Sequence, residues 1–120
     1  MRRVSLKRQA LLKRVGPVRA ALREEIGRCE RCRKRQVRLH ELTQGFGKRY
    51  KALGDRSLIV GLCDTCHALI HSMGCAGKIE CLAILKTRRP ADYCLQRFWE
   101  MNGKRWPEPE EVAAAAKVLE

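Results

Sequence analysis

Apolar residues along this chain change their period several times, and each change predicts an element. Leu11, Val15, Val18, Leu22 and Ile26 recur at spacings of three and four. That is the signature of a helix with one apolar stripe and an outward-facing set of arginines. Gly16-Pro17 interrupts the pattern, so the expectation is a basic helix over residues 3–14, a break, and a second helix opened by Pro17 that runs to about Ile26. Val37-Arg38-Leu39-His40-Glu41-Leu42 alternates apolar and polar, which predicts a half-buried strand. Its parity puts Val37, Leu39 and Glu41 on one face and Arg38, His40 and Leu42 on the other. Residues 43–56 are polar and glycine-bearing and read as a loop; they lack the glycine spacing and Gly-Lys-Ser/Thr ending of a nucleotide phosphate loop. Residues 57–62 form a short, β-branched second strand that delivers the chain into Cys63. A helix then begins near Asp64, an acceptable first-turn acid, with Cys63 in the preceding turn. Beyond Met73-Gly74, helices are expected over residues 77–87, 91–102 and 108–119, carrying most of the aromatic residues as core and scaffold.

These elements define an α+β chain in three segments: a basic helical arm over residues 1–28, a hairpin and helix over 29–73, and C-terminal helices over 74–120 that pack on the core. At 120 residues the chain is expected to form one domain, with a core modest enough to benefit from a metal staple. No run approaches the roughly 20 apolar residues of a membrane span. Lys7, Arg8, Lys13 and Arg14 interrupt the apolar stretch that a secretory signal would need. The expected location is therefore the cytoplasm, with an Arg-rich organelle transit segment as the minor alternative. The seven cysteines are thus expected in a reducing setting, where paired cysteines bind metal more often than they form disulfides. The charge is concentrated: residues 1–56 hold 18 Lys+Arg against 5 Asp+Glu, net +13, while residues 57–120 hold 8 against 8. Such a basic half predicts a nucleic-acid partner, DNA in the first instance. The candidate contacts are Arg33, Lys34, Arg35, Arg38, Lys48, Arg49, Lys51 and Arg56, with Phe46 and Tyr50 interleaved in the loop for stacking.

Two Cys-x-x-Cys pairs, Cys29/Cys32 and Cys63/Cys66, are separated by 30 residues. Four thiolates from two such knuckles make a tetrahedral structural zinc site, and a hairpin fills the interval. The second knuckle overlaps a His-x-x-x-His pair. His67 and His71 lie one helical turn apart and can grip a single ion, whereas Cys66, adjacent to His67, must face elsewhere. The third and last histidine, His40, stands on the strand that the hairpin lays against that helix. A shared ion at His40, His67 and His71 is the expectation, and such a shell tolerates Mg²⁺, Mn²⁺, Ni²⁺ or Zn²⁺. Two competing readings are weaker. A knuckle of Cys63, Cys66, His71 and Cys75 strands Cys29 and Cys32, and Cys63-x-x-Cys66-His67 as a haem-attachment motif would require export. Cys75, Cys81 and Cys94 are left over and expected to be buried thiols.

Over residues 29–72 this order resembles the HNH family of endonucleases, also called ββα-metal or His-Me finger nucleases, and in particular its small phage-encoded members. Leu39-His40-Glu41-Leu42 is similar to the doublet ending that family's first strand, and Leu62-Cys63-Asp64-Thr65-Cys66-His67 to its second knuckle. The resemblance implies a ββα-metal core stapled by a four-cysteine zinc site, with His40, His67 and His71 around a catalytic divalent ion. It further implies phosphodiester hydrolysis to a 3′-hydroxyl and a 5′-phosphate. The family's general base is the second doublet residue, a place held here by Glu41. The asparagine that orients the base is replaced by Ser57. A carboxylate can accept a proton from water, so catalytic roles fall to Glu41, His40 and His67. These two departures leave a second expectation open, a non-catalytic zinc-stapled DNA- or RNA-binding protein with a degenerate site.

Overall fold

The computed structural model describes residues 6–42 and 52–119. Among them the architecture is α+β, five helices and one two-stranded antiparallel sheet, with a four-cysteine cluster that could hold zinc. Helix α1 (Leu6–Ile26) leads to strand β1 (Arg38–Glu41) and a 3₁₀ turn (Arg56–Leu58). Strand β2 (Ile59–Leu62) follows, then helices α2 (Asp64–Ser72), α3 (Cys75–Arg88), α4 (Leu95–Asn102) and α5 (Pro109–Leu119). The register pairs Arg38 with Leu62, Leu39 with Gly61, His40 with Val60 and Glu41 with Ile59. No helix among the described residues is long and apolar enough to cross a membrane.

The expected break at Gly16-Pro17 is absent, and α1 runs through both residues for 21 positions. Proline removes one backbone donor and crowds the carbonyl four residues back, here that of exposed Lys13, which water can satisfy. Gly16 has no Cβ to meet the proline ring, which lifts the usual restriction on the residue before proline. Beyond the proline the helix is pinned: Val15 and Leu22 are buried, and Arg19 Nη1 donates to Leu53 O at 3.0 Å. The expected stripe is only partly used, since Val18 is exposed.

The second strand starts later than residue 57. Asp55 accepts from Ser57 N at 3.0 Å and Ser57 Oγ at 2.6 Å, and this cap winds residues 56–58 into a 3₁₀ turn before the strand. The helix expected over residues 91–102 starts at Leu95, because Arg89–Tyr93 forms a turn held by ion pairs around Arg89 and Asp92. The core is built on α3, whose Cys81-Leu82-Ala83-Ile84-Leu85 run is buried against β2, α2 and α5 with Leu58, Val60, Leu62, Phe98 and Val112. Of the leftover cysteines only Cys81 is buried; Cys75 and Cys94, at the first position and the cap of their helices, are exposed.

Candidate metal centres

The first knuckle is a tight turn in which Arg33 N donates to Cys29 O at 2.9 Å and Cys29 N to Lys34 O at 2.8 Å. Arg33 takes a positive φ of 69° to close it, a conformation few side chains adopt. The turn is anchored from inside by Glu30, a buried carboxylate. It accepts from Gly61 N at 2.9 Å and from Arg89 Nε and Nη2 at 2.9 and 3.1 Å. Gly61 is required here, because a Cβ would stand 2.9 Å from both Ile26 Cγ2 and Val37 Cγ1. The second knuckle is the N-cap of α2, where Cys63 Sγ accepts from Cys66 N at 3.4 Å. Cys63 therefore sits in the turn before the helix and His67 on the helix itself.

The two knuckles bring Cys29, Cys32, Cys63 and Cys66 together with all four sulfurs within 4.8 Å of one another. The Cys32–Cys63 separation is 3.5 Å. Sulfurs bound to zinc at about 2.3 Å in a tetrahedron lie about 3.8 Å apart, so the cluster fits that ion. Burial pushes the Cys29 thiol up, but backbone hydrogen bonds at Cys32, Cys63 and Arg31 outweigh it and bring it down to about 6. Burial pushes Cys66 up to about 12. Bound zinc would hold all four as thiolates. Arg31, with Nη1 3.7 Å from Cys66 Sγ and Nε 3.2 Å from Glu80, lies where it offsets their excess negative charge.

The second cluster is His40, His67 and His71, whose ligand nitrogens also lie within 4.8 Å of one another. Ring centroids are 5.0, 5.3 and 4.5 Å apart and the planes cross at 79°, 82° and 70°. Nitrogens bound at about 2.1 Å would stand about 3.0–3.5 Å apart, so a small closure suffices for a three-nitrogen face. Burial, followed by the neighbouring His67 and His71, lowers His40 to about 4. Burial also lowers His67, reinforced by His71 and Arg38. Rings held neutral are competent ligands.

Glu41 points to the other side of β1, as strand parity requires, and pairs with Arg19 Nη2 at 2.9 Å. The side chains of Arg19 and Glu41 are 23% and 11% exposed. At the end of the strand Glu41 also borders a pocket of about 100 Å³ shared with His40, His71 and Lys78. Ser57 does not reach Glu41, because its hydroxyl is donated to Asp55.

Of the expected nucleic-acid contacts, Arg33, Lys34, Arg35 and Arg38 are exposed, the last loosely paired with Asp64 at 3.5 Å. Arg56 is ion-paired within the fold: its guanidinium meets Asp92 at 3.0 Å through two bonds and Glu25 at 2.7 Å, with the side chain 42% exposed. Lys48, Arg49 and Lys51 lie outside the described residues. Three residues bearing on the sites escape the sequence patterns: Glu30, Arg19 and Lys78. No local period or motif marks them, because each acts on a partner distant in the chain.

The fold and its sites define an α+β chain with a four-cysteine cluster fit for zinc and a separate three-histidine cluster. No family model, curated protein or solved structure matches the chain.

Proposed function

We infer that the hairpin and α2 form a ββα-metal core and that the protein is a metal-dependent endonuclease acting on DNA. The observation that carries the reading is the convergence of His40 from a strand with His67 and His71 from a helix; Glu41, the next residue on that strand, borders the pocket shared by His40 and His71. A divalent ion bound there would polarise a phosphoryl oxygen and stabilise the leaving oxygen. The chain's own residues do the rest. His40, His67 and His71 offer ring nitrogens as ligands. Glu41 accepts a proton from the attacking water, and exposed Arg33, Lys34, Arg35 and Arg38 hold phosphates along the substrate. Zinc at the four cysteines keeps the two knuckles, and hence strand and helix, in register.

One observation favours the alternative of a non-catalytic zinc-stapled DNA- or RNA-binding protein. Glu41, the candidate base, is already engaged in an ion pair with Arg19 at 2.9 Å. Plasmid nicking with Mg²⁺, Mn²⁺, Ni²⁺ or Zn²⁺ separates the two. The nuclease reading expects nicking that needs added metal, disappears in His67→Ala, and leaves one tightly held zinc per chain in that variant. Plasmid, single-stranded and branched substrates that are shifted but never cut under any ion would establish the binder instead.

A further inference from the structure

We propose that Lys78 is a further catalytic residue, whose ammonium holds the non-bridging oxygens of the scissile phosphate. The proposal rests on the nuclease reading. Lys78 belongs to α3, beyond the stretch that resembles a nuclease, and reaches the site through one close helix crossing. Gly77 packs against the backbone of Ile70 so tightly that a Cβ would lie 2.3 Å from Ile70 O. That approach brings the next residue, Lys78, to the wall of the pocket formed by His40, Glu41 and His71.

Two properties of this placement call for an anion. Lys78 is partly buried and makes no hydrogen bond or ion pair among the described residues. Burial lowers its proton affinity, Lys104 adds to the lowering, and only Cys75 opposes it. The titratable residues lining the pocket with it are His40, His71 and Glu41, and the Glu41 carboxylate is already paired with Arg19. A partly desolvated cation without a carboxylate of its own is costly, and a bound phosphate would offset that cost. The pocket, about 100 Å³, has room for a phosphoryl group. In the step itself water oxygen bonds to phosphorus and the bond to the 3′-oxygen breaks. The water proton goes to Glu41, and the leaving oxygen takes a proton from solvent. Lys78 stays protonated throughout and supplies charge where charge develops.

The test uses the zinc-loaded full chain with Mn²⁺ and supercoiled plasmid, comparing wild type, Lys78→Met and Lys78→Arg. Fluorescence anisotropy on a labelled duplex in EDTA reads binding without cleavage, and Co²⁺ absorption reads the histidine site. Lys78→Met is expected to lower kcat by about 10²–10³-fold, with KM, duplex Kd and Co²⁺ affinity within about threefold of wild type. Lys78→Arg should recover at least about tenfold of that loss. Unchanged kcat in Lys78→Met overturns the proposal, as does a loss confined to KM and Kd, which would make Lys78 an ordinary backbone contact. Parallel loss of Co²⁺ binding in both variants also overturns it, by making Lys78 a support for His71. A wild-type chain that cuts nothing sinks the nuclease reading itself. A wild type that cuts, with an unaffected Lys78→Met, sinks this proposal alone.

Discussion

Replacing Gly77 by alanine tests the contact that sets α3 against the helix bearing His67 and His71. The new Cβ would stand 2.3 Å from Ile70 O, 3.2 Å from Ile70 C and 3.3 Å from Ile70 Cγ2. The closest atom is backbone, so no rotamer change relieves it, and the helices must separate by about an ångström. Two effects oppose one another. Alanine is favoured over glycine in a helix interior by up to about 1 kcal/mol, and by less in the first turn, where Gly77 sits. Forcing an extra carbon into a packed contact costs about 1–3 kcal/mol. The clash wins, and a net destabilisation of about 1–2 kcal/mol is expected. With a urea slope of about 1–3 kcal/mol/M, the midpoint should fall by roughly 0.5–1.5 M, measured at fixed zinc and protein concentration. The same displacement moves His71 and Lys78 relative to His40. Co²⁺ binding at the histidine site should weaken, and any metal-dependent nicking should fall by up to about 10²-fold, while the tightly held zinc is retained. A Gly77→Ala protein that gains stability, as propensity alone would give, would refute the close crossing and the placement of Lys78 built on it.

Glu30→Ala removes a carboxylate whose side chain is 2% exposed and leaves Arg89 and the Gly61 amide without that partner. Breaking a buried pair costs about 3–5 kcal/mol, and the lower end is expected because Arg89 keeps Asp92 at 2.8 Å. Urea unfolding and zinc retention against a competing chelator should fall together; an unchanged midpoint would dismiss the anchor. The pH dependence follows from His40, held down to about 4 mainly by burial, with His67 and His71 adding to the effect. Above about 6.5 the ring is neutral folded and unfolded and contributes nothing. As pH falls from about 6.5 to about 4 the unfolded chain takes up a proton that the folded chain refuses, so stability is lost across that window and levels below it. The urea midpoint of metal-free His40→Gln should therefore drop less than that of wild type between pH 7 and 4.5, and parallel curves would contradict the burial of this ring.

What the amino-acid order determined about this protein was chemistry carried by near neighbours. A Cys-x-x-Cys turn, a cap at Cys63, two histidines one helical turn apart and the alternation through His40 are short-range patterns. The backbone realises them with little help from the rest of the chain, so each knuckle and the helical histidine pair are legible in the order of residues. The meeting of the two knuckles, and of His40 with His67 and His71, depends on the hairpin that brings them together. Tertiary structure decided the matters that depend on distant partners. It carried α1 through Pro17, because Arg19 and Leu22 find anchors elsewhere in the fold. It set Arg56 in ion pairs, because Glu25 and Asp92 meet it from opposite sides in sequence. It brought Lys78 beside His40 and His71 through a glycine that no periodicity marks. A side chain's charge is written in the sequence, but whether that charge is neutralised, exposed or held against a candidate metal site depends on which residues the fold brings within a few ångströms, and local pattern does not encode that choice.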